Sequence, residues 1–109
     1  MLEGRDATLV YAFTKETREA RSAAHARAFD TIGSVEVPGA GAAAGALAAY
    51  LVSHNAVTVQ PVTVLPVEQG HAVSRPSTIY TEVYVEEGEI VRVVMGGRVV
   101  RVGEGKLEI

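Results

Sequence analysis

The sequence predicts an α+β fold in which one helix of small residues is set among strands, and three observations carry that expectation. Residues 40 to 53 are an Ala/Gly-rich run without a charged side chain. Residues 7–13 and 79–86 alternate in the period-2 manner of strands, and the apolar run 90–95 follows the latter across a turn. Gly and Pro fall between these stretches, where turns are needed. With 109 residues the chain reads as one domain, able to bury about two-thirds of its unfolded surface. Its 48% hydrophobic and 21% charged residues are the balance of a globular protein.

In chain order, Met1 to Asp6 is charged, so no secretory leader is expected. Ala7 to Phe13 places Leu9, Tyr11 and Phe13 against Thr8, Val10 and Ala12, a strand pattern. Thr14 to Ser22 is polar and reads as a loop or a short solvated helix. Ala23 to Asp30 is ambiguous, its alanines favouring helix while His25 to Phe29 also suits a strand.

The helix is expected from about Ala40 to Ser53, with Gly39 and Gly41 loosening its start and Asn55 as a C-cap residue. Apolar on every side, it is expected to be buried on every side, as in the middle of a sheet or barrel. It does not suit a membrane. The apolar run from Val37 to Val52 contains Pro38, Gly39, Gly41 and Gly45, and falls short of the roughly 18 to 20 residues a span needs.

Val57 to Pro61 recurs as Val62 to Pro66, which reads as local strand repetition with a bend or bulge at Pro61. Ile79 to Glu86 and Ile90 to Met95 form a strand pair across Glu87-Gly88. Gly96-Gly97 is a two-residue hairpin signal, so Arg98 to Val102 is expected to return along the sheet. After Gly103 to Gly105, Lys106 to Ile109 is a last short strand.

Composition excludes several functions. A net charge of −3, with basic residues scattered along the chain, argues against a nucleic-acid surface. No cysteine is present, which removes disulfides, thiolate catalysis and zinc–thiolate clusters and fits a reducing cytoplasm. His25, His54 and His71 have no metal-ligand spacing. His54 is placed to cap the helix C-terminus, and His71 is the better candidate for a base. No P-loop, GxSxG or dinucleotide fingerprint occurs, so no cofactor is expected.

Three stretches together resemble the C-terminal half of the phenazine-biosynthesis isomerase (PhzF) family. The run Glu36-Val37-Pro38-Gly39-Ala40-Gly41-Ala42-Ala43 is similar to that family's Glu-Asp-Pro-x-Thr-Gly-Ser-Ala and leads into Leu47-Ala48-Ala49-Tyr50-Leu51. Gln69-Gly70-His71-Ala72-Val73-Ser74-Arg75-Pro76-Ser77 resembles Gln-Gly-x-x-Met-Gly-Arg-Pro-Ser. Val91 to Gly97 and Gly105-Lys106-Leu107 match the closing Val-x-Val-x-Gly-Gly and Gly-x-Leu. The likeness covers the chain from His25 onward.

This resemblance implies a diaminopimelate epimerase-like half: a curled, barrel-like, mostly antiparallel sheet around one central helix. It makes His25 to Asp30 a strand. In that family two such halves face each other across the active site, and a glutamate from the other half moves the proton. The family's aspartate is Val37 here, its threonine Ala40 and its serine Ala42. No catalytic residue is therefore assigned.

The backbone donors of Gly39, Ala40, Gly41, Ala42 and Ala43 remain a candidate site for a small carboxylate. Glu36, His71 and Arg75 are possible side-chain contributors, with a surface role weighed as the alternative for Glu36. Gln69, Gly70 and Ser77 read as a structural turn. The expected partner is a second copy in a two-fold dimer, or else a separate N-terminal half.

Overall fold

The computed structural model describes residues 8–31 and 35–109. Its strands are β1 (Leu9–Thr14), β2 (Ala24–Asp30), β3 (Glu36–Val37), β4 (Val62–Gln69), β5 (Ser77–Glu86) and β6 (Glu89–Gly96), with one helix, α1 (Gly41–Ser53), between β3 and β4. The expectations for Met1 to Asp6 and for Ala7 lie outside the described residues. The sheet runs β1-β2-β4-β5-β6, and β3 lies beside β2. Every pairing is antiparallel except β2 with β4. The result is α+β, a curled half-barrel around one helix.

Alternation explains the strands. Ala24, Ala26 and Ala28 of β2 are buried, and Leu65 and Val67 of β4 and Val83 of β5 join them in the core. Against these lie Ala44, Leu47, Ala48, Leu51 and Val52 of α1. The buried polar side chains of Thr63 and Thr81 are satisfied locally: Thr63 Oγ1 donates to Gln60 O at 3.0 Å and Thr81 Oγ1 to Leu65 O at 2.6 Å. Pro66 sits inside β4 without breaking it. Its carbonyl accepts from Ala23 N–H just before the β2–β4 ladder begins at Ala24 and Val67, so its missing donor falls where little pairing exists.

The helix ends as its sequence implies. Ala56 N–H reaches Leu51 O at 2.9 Å and Asn55 N–H reaches Val52 O at 3.1 Å, with Asn55 left-handed at φ 52. That is a Schellman closure, in which His54 is the cap and Asn55 the residue beyond it. His54 Nδ1 also donates to Tyr50 O at 3.1 Å, and its ring stacks on Tyr50. The β5–β6 turn at Glu87 and Gly88 has φ of 52 and 79, the positive pair of a type I′ hairpin.

Three expectations are corrected. The helix is buried on one face only: Ala44, Gly45, Leu47, Ala48, Leu51 and Val52 point inward, while Ala42, Ala46 and Tyr50 are exposed. Alanine and glycine count as apolar, yet exposing them costs little, and the sheet curls round a single side. Val57 to Pro61 is not a strand; only the second copy of the repeat, Val62 to Pro66, enters the sheet, and the chain bends at Pro61. Arg98 to Val102 and Lys106 to Ile109 form no strand. Neither Gly96 nor Gly97 adopts the positive φ that a primed two-residue turn requires, so the chain leaves the sheet instead of folding back. Of Thr14 to Ser22, expected as a loop or a short helix, Thr14 ends β1 and Lys15 to Ser22 is a loop.

Candidate functional site

Helix α1 begins without a side-chain cap, since Ala40 is its N-cap residue and its first turn contains no acid. The first-turn N–H groups therefore lack side-chain acceptors and carry the positive end of the helix dipole. Gly39, Ala40 and Gly41 line a cavity of about 600 Å³. Its other walls include His71, Ser77, Ile79, Tyr80, Met95 and Arg98.

Two residues shape this mouth. Gly70 is left-handed at φ 86, and a Cβ there would lie 2.1 Å from Arg75 O and 2.7 Å from Pro38 O. Only glycine lets the Gln69 to Ser77 turn pass so close to the helix entry. Gln69, fully buried, joins the elements: Tyr11 OH donates to its Oε1 at 2.7 Å, and its Nε2 donates to Val37 O at 3.0 Å. Burial raises the Tyr11 hydroxyl to about 12. The turn holds a second left-handed residue, Ser74 at φ 57, where the resembled pattern has glycine.

Beside the cavity lies an acid–histidine cluster. The Glu68 side chain lines the cavity and is almost wholly buried. Its carboxylate accepts from Arg18 N–H at 2.8 Å, Glu19 N–H at 2.8 Å and His25 Nδ1 at 2.9 Å. Burial alone would raise its pKa. The hydrogen bonds from Arg18, His25, Glu19 and Ser22 outweigh that and pull it down to about 2. An ionised carboxylate only accepts, so His25 carries a proton on Nδ1. The His25 ring lies 5.0 Å, centroid to centroid, from that of His71, whose own Nδ1 is buried with no hydrogen-bond partner.

The structure thus brings Gly39, Ala40, Gly41 and His71 to one cavity and places the other candidates elsewhere. Ala42 is exposed, and Ala43 lines a separate groove facing β1. Arg75 is exposed and outside the cavity wall. Glu36 does not lie on the surface: its side chain is 6% exposed and pairs with Arg27, whose Nη2 is 2.6 Å from Glu36 Oε1. The β2–β3 pairing turns Glu36 toward β2, because Phe29 opposes it and Arg27 is two residues away on the same side. Among the described residues no cluster is suited to a metal ion, and no helix is long and apolar enough to cross a membrane.

Glu68 was the residue that sequence reasoning missed. Its signal was available: between Ala56 and Ser74 it is the only Asp, Glu, Lys or Arg, placed inside an apolar strand.

Comparison with known proteins agrees with the fold. The chain is 36% identical over 100 residues to an uncharacterized isomerase of Mesorhizobium japonicum, a match covering 91% of this chain and 33% of that protein. A crystal structure of a Bacillus anthracis phenazine biosynthesis protein of the PhzF family superposes with a TM-score of 0.66 at 20% identity, over 81% of this chain and 34% of the other. The chain spans about a third of the length of each. The model of the phenazine biosynthesis-like protein family matches residues 2–105. On that match the chain belongs to the phenazine biosynthesis-like (PhzC-PhzF) family.

Proposed function

We propose that this chain is a C-terminal half-domain of the PhzF type that binds a small carboxylate and assembles as a homodimer, without catalysing isomerisation by itself. The observation that carries the reading is the uncapped start of α1, opening on a cavity of about 600 Å³ while Val37, Ala40 and Ala42 stand where the family has polar side chains. Main-chain donors and the helix dipole suffice to hold an anion. Ile79, Tyr80 and Met95 give the same cavity an apolar wall for the body of the ligand. The cysteine-free composition supports a cytoplasmic location.

Titration with acetate or inorganic phosphate is expected to move the amide resonances of Gly39, Ala40 and Gly41 more than those of the β5–β6 hairpin. Equal or absent shifts would refute anion binding at the helix start.

One observation favours a second reading, in which the chain is an isomerase subunit completed by an N-terminal half from another polypeptide. Glu68, paired with His25, and His71, whose Nδ1 has no hydrogen-bond partner, are groups at the cavity that can exchange protons. Incubated alone with amino-acid-like acids in D2O, the protein is expected to introduce no deuterium beside the carboxylate. Incorporation at an enzymatic rate would overturn the non-catalytic reading.

A further inference from the structure

Residues 98–109 and the open side of the half-barrel are each incomplete, and each has what the other lacks. After β6 ends at Gly96 the chain forms no further regular structure. Val99 is 90% exposed, Val100 81%, Val102 96% and Leu107 92%, and Ile109 is also fully exposed. The pattern is that of strands: Val100 and Val102 fall on one face against Val99 and Arg101, and Leu107 and Ile109 on one face against Lys106 and Glu108. A segment of this composition left bare in water is an unmet pairing demand. Its own hairpin is not formed, because the backbone at Gly96 and Gly97 is not turned back.

The complementary vacancy lies at β1. Among the described residues this strand pairs with β2 alone, so its outer edge offers N–H and C=O groups for pairing. Between β1 and α1 runs a groove of about 480 Å³, lined by Leu9, Tyr11, Phe13, Ala43, Leu47 and Tyr50 among others. Phe13 and Tyr50 are each about half exposed, with their rings in edge contact across it. At the sheet's other edge, β6, Val93 and Met95 lie against the helix at Gly45, although Met95 remains 40% exposed.

We propose that residues 98–109 of each chain pair with the outer edge of β1 in a second copy, laying their valines, Leu107 and Ile109 over the β1–α1 groove. This rests on the homodimer reading above and gives it a mechanism. Reciprocal exchange satisfies both vacancies with one two-fold operation, and exchange of an identical element is a low-cost route to a dimer. Reach is sufficient: twelve extended residues cover about 40 Å, against a longest molecular extent of 44 Å. The exchange also anchors the cavity, since Arg98, the first residue of the segment, lines it.

Two measurements on the full chain test this. Light scattering at micromolar concentration is expected to give twice the 11.5 kDa chain mass for the native protein, and a single chain mass for the double variant Val100→Lys/Val102→Lys. Both valines are exposed within their own chain, so the variant leaves its fold intact. In the second measurement, the naturally cysteine-free chain carries Ala46→Cys and Val100→Cys together and is treated with a flexible bismaleimide. Linkage between chains, seen as a dimer on a denaturing gel, is expected. A native protein of one chain mass overturns the dimer and the exchange together. A dimer that survives the lysine substitutions, or linkage confined within one chain, overturns the exchange and leaves the dimer standing.

Discussion

Replacing Gly70 by alanine is expected to lower the free energy of unfolding by about 3 kcal/mol or more, the largest effect expected among the described glycines. Two costs add. At φ 86 an L-residue is strained by about 1–2 kcal/mol. The new Cβ also meets two carbonyl oxygens, Arg75 O at 2.1 Å and Pro38 O at 2.7 Å, and neither can swing aside as a side chain would. Gly45→Ala is the informative contrast. Its Cβ would come within 2.3 Å of Met95 Cε, the far end of a flexible side chain. Helix propensity returns about 1 kcal/mol there, so a near-neutral outcome is expected. Urea denaturation of both variants separates the cases. If Gly70→Ala unfolds within about 1 kcal/mol of the native protein, the tight apposition of turn and helix entry is wrong.

The second large effect is expected at Glu68. Glu68→Ala leaves Arg18 N–H, Glu19 N–H and the His25 ring without their acceptor, at a cost of about 3 kcal/mol at neutral pH. The pH dependence has a definite sign. The folded-state pKa of about 2 lies below the ordinary value of 4.5, so the stabilisation is fully present above about 4.5 and is lost as pH falls toward 2. The native protein should therefore lose stability across that window faster than Glu68→Ala does. Urea midpoints measured between pH 7 and pH 2.5 would decide it. Two curves that stay parallel would mean that Glu68 is not held ionised by these bonds.

Local features were legible in the sequence. The β5–β6 hairpin follows from alternation around Glu87-Gly88, and the end of α1 follows from Asn55. The ambiguous stretch from Ala23 to Asp30 became a strand through resemblance, because alanine suits a tightly packed inner face as readily as a helix. What escaped was long-range. Glu68 gathers residues 43 to 50 positions away, and no periodicity encodes that. Gly96-Gly97 carries hairpin chemistry, yet glycine permits many conformations and compels none. The exposed face of α1 depends on how far the sheet curls, which a single helix cannot announce. Of the candidate site residues, the start of α1 and His71 line one cavity. Glu36, chosen as the nearest carboxylate, pairs instead with Arg27, and Arg75, chosen from the resembled motif, lies outside that cavity wall.

The parallel contact between β2 and β4 is only three residues long, Ala24 to Ala26 against Val67 to Gln69, and this governs how the chain assembles. The β5–β6 ribbon closes over a two-residue turn and β4 joins it across a short connection, so these three strands form at little entropic expense. The β1–β2 ribbon can zip independently. Uniting the two requires a crossover of some forty residues through α1, closed by a short ladder and by Glu68. That step has the high contact order associated with slow folding. Amide exchange should then divide the molecule into two cooperative units, with the β4–β6 block opening last and the β1–β2 ribbon opening first.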